Sequence, residues 1–327
     1  MTTWAPEGFC GRLGMSLPVV QAPIGSAATP ELVAAVCEAG GLGVLALSWT
    51  SVDGAARLVR RAQALTARPF GANFVLAWPQ EDRIRACLDA GVRVVSTSWG
   101  DPATCTPLVH QAAALHVHMV GSVDEARRAV DTGVDAVVAQ GFEAGGHVLG
   151  VTGTFALLPA VVDAVAPVPV LAAGGIADGR GLAAVLALGA AAAWVGTLFL
   201  LADEADVHDE YRRLLLAASA ADTVYGSVFD GGWSGAPHRT LGNSTLAAWR
   251  RAGQPPSGHR PGEQEVVAHK ASGQAVLRYS SDLPTRTTVG DAEAMALYAG
   301  QGVGLARTTA SAAALARGLT EGDAHRG

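Results

Sequence analysis

The chain has 327 residues, half of them hydrophobic and 16% charged, with a net charge of -6. That length suits one large α/β unit with a small appendage. The acid-leaning balance excludes a nucleic-acid face, which needs clustered cations to displace phosphate counterions. Cys10, Cys37, Cys87 and Cys105 stand far apart with no C-x-x-C pair, the pattern of small apolar residues in a reducing compartment. The N-terminus, MTTWAPEGFC, has no basic stretch followed by an apolar run, so no secretory leader is expected and the chain reads as cytoplasmic.

In chain order, a short apolar strand is predicted over 19–22, then a helix over 30–39 that Thr29 or Ser26 can cap, with Pro30 in its first turn and Gly40-Gly41 closing it. Strands over 43–47, 70–75, 92–97 and 116–120 alternate with helices over 52–65, 81–90, 102–115 and 123–132. The sixth strand, 134–140, leaves into a glycine-rich loop, and a helix follows over 155–165. The seventh strand, 170–173, precedes a helix over 180–188, and the eighth, 192–195, a helix over 204–218. Eight strand-then-helix units with apolar strands predict a closed parallel (β/α)8 TIM barrel. Residues 181–202 carry no charge and would pass a hydropathy test for a membrane span. Gly189 divides the run, however, and a short helix, a turn and a buried strand give the same hydropathy, so no membrane span is expected.

After residue 202 the rhythm stops. Residues 223–284 are rich in Gly, Ser, Pro and Trp and read as an irregular, mostly helical cap across the barrel mouth, with a short helix over 245–252. Further helices are predicted over 291–299 and 306–319, and the last eight residues read as a frayed end. The expected organisation is a barrel of 1–220 plus 286–320, with 221–285 inserted as a lid.

Strand C-termini share one face of a barrel, so the exits of strands six, seven and eight are neighbours. Gly174-Gly175 and Gly196-Thr197 then lie side by side, where backbone N–H groups and a helix N-terminus can hold a phosphate. The plainer reading, that such glycines only make tight turns, serves for either pair alone and less well for both together. His147 is the best general base in the chain, because its unperturbed pKa lies near neutrality and it sits in a Gly-Gly loop beside this face. Glu143 could accept from its ring or cap a turn, and the structural role is favoured. His116 and His118 alternate on the fifth strand and read as packing or surface residues. There is no metal-ligand spacing, no G-x-S-x-G and no Walker lysine motif, which leaves a phosphate-bearing organic cofactor at the mouth.

The ordered set QAPIG (21–25), AGGLGVL (39–45), GANF (71–74), QGFEAGGH (140–147), AAGGIADGRGLAAVLALGA (172–190), GT-F (196–199) and AGQGVGL (299–305) resembles the nitronate monooxygenases, formerly 2-nitropropane dioxygenases. The match covers most of the chain. It implies an FMN-dependent (β/α)8 barrel in which the backbone of Ala22, Pro23 and Ile24 lies against the flavin ring. Asn73 and Gln140 would hydrogen-bond the cofactor, while Gly145-Gly146, Gly174-Gly175 and Gly196-Thr197 enclose its phosphate end. His147 matches the family's catalytic histidine. It would take the α-proton of a nitroalkane or position the nitronate, which O2 converts to a carbonyl compound and nitrite. Two positions depart from the pattern: Met119 stands where members often carry Gln or Lys, and Val148-Leu149-Gly150 where they often have a short Arg-Gly or Pro-Gly. The flavin-dependent enoyl-acyl carrier protein reductases, which use NAD(P)H, share the barrel and an EAGGH-like loop. Trp233 and Trp249 of the cap could cover either a nitronate or an enoyl thioester. The partners implied are a small-molecule substrate and O2, without nucleic acid or membrane, and a homodimer is the assembly considered.

Overall fold

β-branched and alanine-rich runs that are apolar on both faces suit strands of a sheet covered on both sides. In the computed structural model, which describes residues 8–320, eight of them close into one barrel. The strands are β1 (Val19–Gln21), β2 (Leu42–Ala46), β3 (Gly71–Val75), β4 (Val94–Ser98), β5 (Leu115–Val120), β6 (Ala136–Gln140), β7 (Val170–Ala173) and β8 (Ala192–Val195). Each pairs in parallel with the next, and β8 pairs back onto β1 through Val20↔Trp194 and Gln21↔Val195. β4 and β6 start two residues later than predicted; at β4 the cause is that Val92 still closes the preceding helix by donating to Cys87 O at 3.0 Å.

Alternation along the strands separates two cores. Val20, Leu42, Val44, Val94, Val117, Val138, Leu171 and Trp194 belong to the interior cluster, and Phe9, Leu13 and Met15 close its lower end from the helix Phe9–Arg12 and the turn after it. The alternate residues, such as Val19, Val137, Ala172 and Val195, pack outward on the helices with Leu32, Val36, Leu158 and Leu182. Thr29 caps the helix Pro30–Glu38 by accepting from Leu32 N, and Asp178 caps Gly179–Ala187 by accepting from Arg180 N and Gly181 N. The uncharged run 181–202 divides into that helix, β8 and a 3-10 turn, Thr197–Leu201. Among the described residues no helix is long and apolar enough to cross a membrane. All four cysteines are buried and free, and burial pushes their thiols up to about 11 or 12.

The C-terminal part corrects the sequence reading in three places. The segment expected to be an irregular, mostly helical cap is irregular, but its regular elements are mainly short strands. It holds β9 (Thr223–Gly226), β10 (His238–Leu241), the helix Ser244–Arg251, then β11 (Val266–His269) and β12 (Ala275–Leu277), and β13 (Val289–Gly290) follows it. β9 and β10 pair antiparallel and extend onto Gly146–His147, while β11 lies between β12 and β13. Short alternating runs find strand partners only in three dimensions, which local propensity does not report. The helix expected over 291–299 is a single 3-10 turn, Ala292–Ala294, because the chain beyond it pairs with β10: Leu241 N donates to Leu297 O at 2.8 Å and Tyr298 bridges Thr240. The helix expected over 306–319 is confined to Ala312–Gly318, with Ser311 as its cap. Residues 1–7, read for a leader, and 321–327 of the expected frayed end lie outside the described residues.

Candidate active site

Parallel strands deliver their C-termini to one rim, and that rim opens on a cavity of about 700 Å3. Every residue expected to hold a cofactor lines it: Ala22, Pro23 and Ile24 after β1, Asn73 on β3, Gln140 at the end of β6, Gly145, Gly146, Gly174 and Gly175 in the next two loops, and Gly196 and Thr197 after β8. His147 lines it too.

At two of the rim glycines a side chain would collide with its neighbours. A Cβ on Gly145 would lie 2.4 Å from Gly300 N, and one on Gly174, at φ +110°, 2.8 Å from Thr154 Oγ1. Gly175 has φ +75°, a left-handed conformation that favours glycine. Hydrogen bonds knit the loops together. Thr154 Oγ1 lies 3.0 Å from Gly174 O, Gln301 N donates to Glu143 O at 2.8 Å, and Gly300 N to Thr197 Oγ1 at 2.9 Å. Two 3-10 turns, Thr197–Leu201 and Gln301–Leu305, begin here with glycines and without side-chain caps. They, rather than the Asp178-capped helix Gly179–Ala187, present uncapped N-termini near the rim.

The loop carrying His147 is held by Gln140, whose Nε2 donates to His147 O and whose Oε1 accepts from Leu149 N, both at 2.9 Å. The carboxylate of Glu143 accepts from Thr154 N at 2.8 Å and Thr154 Oγ1 at 3.0 Å, so it caps the helix Thr154–Val165, the structural role favoured from sequence. From the other side Gly146–His147 pairs antiparallel with His238–Arg239. His147 Nε2 is buried without a hydrogen-bond partner, as is Nε1 of Trp194 on the cavity wall. Burial, helped by His238, pushes the His147 imidazole down to about 3. His238 is neutral and fixed in orientation, with Nε2 accepting from Phe229 N at 3.2 Å and Nδ1 facing Ala236 O at 3.1 Å.

His116 and His118 form a separate buried network. Thr97 Oγ1 lies 2.8 Å from His116 Nε2 and 2.7 Å from His118 Nδ1, and Thr106 Oγ1 lies 2.8 Å from His116 Nδ1. Burial lowers their pKa values to about 3 and about 4. His116, His118 and His147 are therefore neutral in the fold, while in the unfolded chain they take up protons near the usual value of about 6.5. Stability is complete above that value and falls as pH drops from it towards 4, by up to about 1.4 kcal/mol per pH unit for each ring. We expect the urea midpoint to be level between pH 7 and 8.5 and to fall between pH 7 and 5. A level midpoint down to pH 5 would show that these rings are already charged in the native protein.

Several lining residues carried no signal that sequence reasoning used: Trp49, Trp99, Lys270 and Tyr298. Trp49, Trp99 and Lys270 follow strands and Tyr298 bridges Thr240, places that only the closed fold sets. Trp233 lies over the His147 ring at 4.1 Å, whereas Trp249 points into the cap and donates to Pro255 O at 2.9 Å. Of the two cap tryptophans only the first covers the site.

Comparison with known proteins identifies the family and the fold. The nitronate monooxygenase family model matches residues 10–83 and 73–322. A (3aS,4S,5R,7aS)-5-hydroxy-7a-methyl-1-oxo-octahydro-1H-indene-4-carboxyl-CoA dehydrogenase of Mycobacterium tuberculosis is 40% identical over 70% of this chain, and the match spans 64% of that protein, a little under two thirds of its length. FabK from Thermotoga maritima superposes with a TM-score of 0.79 at 31% identity, covering 94% of this chain and 92% of that one. A nitroalkane oxidase from Streptomyces ansochromogenes does so with a TM-score of 0.76 at 33% identity, covering 94% and 95%. A closed barrel, a glycine rim with one histidine, and a family match along nearly all of the chain make this protein an oxidoreductase of the nitronate monooxygenase family.

Proposed function

We propose that the chain is an FMN-dependent oxygenase of alkyl nitronates that uses O2, releases a carbonyl compound and nitrite, and employs His147 as the base for neutral nitroalkanes. The observation that carries this reading is that one cavity joins a side-chain-free glycine rim to a buried, unpartnered imidazole nitrogen. FMN suits the residues present. Gly145, Gly174, Gly175, Gly196 and Thr197 would hold its phosphate end, and Ala22, Pro23 and Ile24, with Asn73 and Trp194 Nε1, its ring. When bound, FMN supplies the electron acceptor that passes electrons on to O2.

The protein's own groups do the rest. Neutral His147 takes the α-proton at Nε2. The imidazolium so formed is costly in this buried place unless an anion lies beside it, and the nitronate produced in the same step is that anion. Gln140 keeps the imidazole-bearing loop in place through both of its amide groups. Before substrate arrives, Trp233 covers the ring.

A second reading, an NAD(P)H-dependent enoyl-thioester reductase, is favoured by the CoA-ester dehydrogenase among the relatives. An anaerobic spectrum separates the two. Propionate 3-nitronate is expected to bleach the flavin and NADH to leave it coloured. Bleaching by NADH, reversed on adding an enoyl thioester, would reverse the order of the two readings.

A further inference from the structure

Four tryptophans meet at the barrel mouth, and they do not share a chain segment. Trp49, Trp78 and Trp99 follow β2, β3 and β4, and Trp233 comes from the loop between β9 and β10. Trp233 is the hub. Its ring centroid lies 6.2 Å from Trp49, 5.0 Å from Trp78 and 5.0 Å from Trp99, at interplanar angles of 55–71°. Against His147 the distance is 4.1 Å and the angle only 31°. One indole thus meets two others edge-on and a third at a tilt, and lies over the base.

Two features set this apart from ordinary packing. Trp99 holds φ +60°, a left-handed conformation that a bulky side chain rarely adopts, and Trp49 is 61% exposed. Strained backbone and exposed large aromatics persist where a ligand uses them. The loop bearing Trp233 reads Gly231-Gly232-Trp233-Ser234-Gly235. Its near end is pinned, with Gly231 N donating to Tyr279 O at 2.9 Å and its O accepting from Ser281 N at 3.0 Å. Beyond Trp233, Gly235 at φ +74° has nothing within 4 Å of where a Cβ would stand. Trp233 N donates to Asp230 O at 3.0 Å, while its indole is held by ring contacts alone among the described residues.

We propose that Trp49, Trp78 and Trp99 form a subsite for a flat aromatic or fused-ring substituent of the substrate, and that Trp233 is a tethered occupant which the substrate displaces. The inference rests on the reading that His147 meets the reacting carbon, because only then does a ring in the Trp233 position belong to the molecule being converted. A planar group there gains the same edge-to-face contacts and the same face over the imidazole. A flexible acyl chain gains area without that geometry.

Isothermal titration calorimetry on the FMN-loaded protein tests it with two inert ketones of equal carbon number, acetophenone and 2-octanone. Neither needs turnover, so failure of the nitronate reading would leave this result standing, and the converse holds. Acetophenone is expected to bind about tenfold more tightly than 2-octanone, the worth of two or three aromatic contacts. Trp49→Leu and Trp99→Leu should each remove most of that preference, weakening acetophenone far more than 2-octanone. Trp233→Ala should tighten acetophenone, since the competing occupant is gone; Trp233→Leu serves the same purpose if the alanine variant folds poorly. No binding of acetophenone, an equal or tighter 2-octanone, or a loss of acetophenone affinity in the Trp233 variants would overturn the proposal. That last result would make Trp233 a fixed wall of the site.

Discussion

Replacing His147 with alanine is expected to leave the flavin bound and to lower kcat/KM for a neutral nitroalkane by about 10²–10⁴-fold, the usual worth of a positioned base. A preformed nitronate has already lost its α-proton and should lose far less. The cause lies in the setting of the ring. Nε2 is buried and unpartnered, and the imidazole stays neutral across the physiological range because burial pushes it down to about 3. For the same reason kcat/KM of the native enzyme on the neutral substrate should be level from pH 5 to 8, with no limb near the usual histidine value. Equal losses on both substrate forms would make His147 an anion-positioning residue instead. A limb near pH 6.5 would show that water reaches the ring once cofactor and substrate are in place.

Gly145→Ala should have the second large effect. Its Cβ would stand 2.4 Å from Gly300 N and 2.6 Å from Ala299 C, both backbone atoms that no rotamer change can move aside. Overpacking of this kind costs about 1–3 kcal/mol, which corresponds to a drop in FMN affinity of about 10–100-fold if the rim must spread. Gly146→Ala is the matched control. It meets nothing within 4 Å but must hold φ +75°, so it carries conformational strain without a collision. Equilibrium dialysis of FMN against both variants decides the matter. Unchanged affinity in Gly145→Ala would place the phosphate elsewhere on the rim.

Much of the barrel was legible because its cause is local and repeated. Runs such as Val134, Val137 and Val138 are too apolar for a half-exposed strand, and the glycines after helices stop them where the periodicity says. The rim was legible for a related reason: Gly174 and Gly175 adopt conformations that other residues adopt only under strain, so their presence in the sequence reports the backbone directly. The commitment of Glu143 to Thr154 was half legible, since an acid near a helix start is a common cap. The C-terminal segment was not. Residues 295–299 have helical composition, yet β10 offered them a partner, and pairing outweighed propensity.

By itself the sequence determined the eight-fold strand-and-helix rhythm, the glycine exits and the single histidine among them, because each is written in contiguous residues and follows from backbone sterics and apolar periodicity. Only the tertiary structure decided what surrounds that histidine. Gln140 grips its loop, His238 backs it, and Trp233 lies on it from about ninety residues away in the chain. Burial is a property of the whole closed barrel and its cap. The same imidazole that reads as an ordinary neutral-pH base in the sequence becomes, once enclosed, a ring that holds a proton only beside an anion.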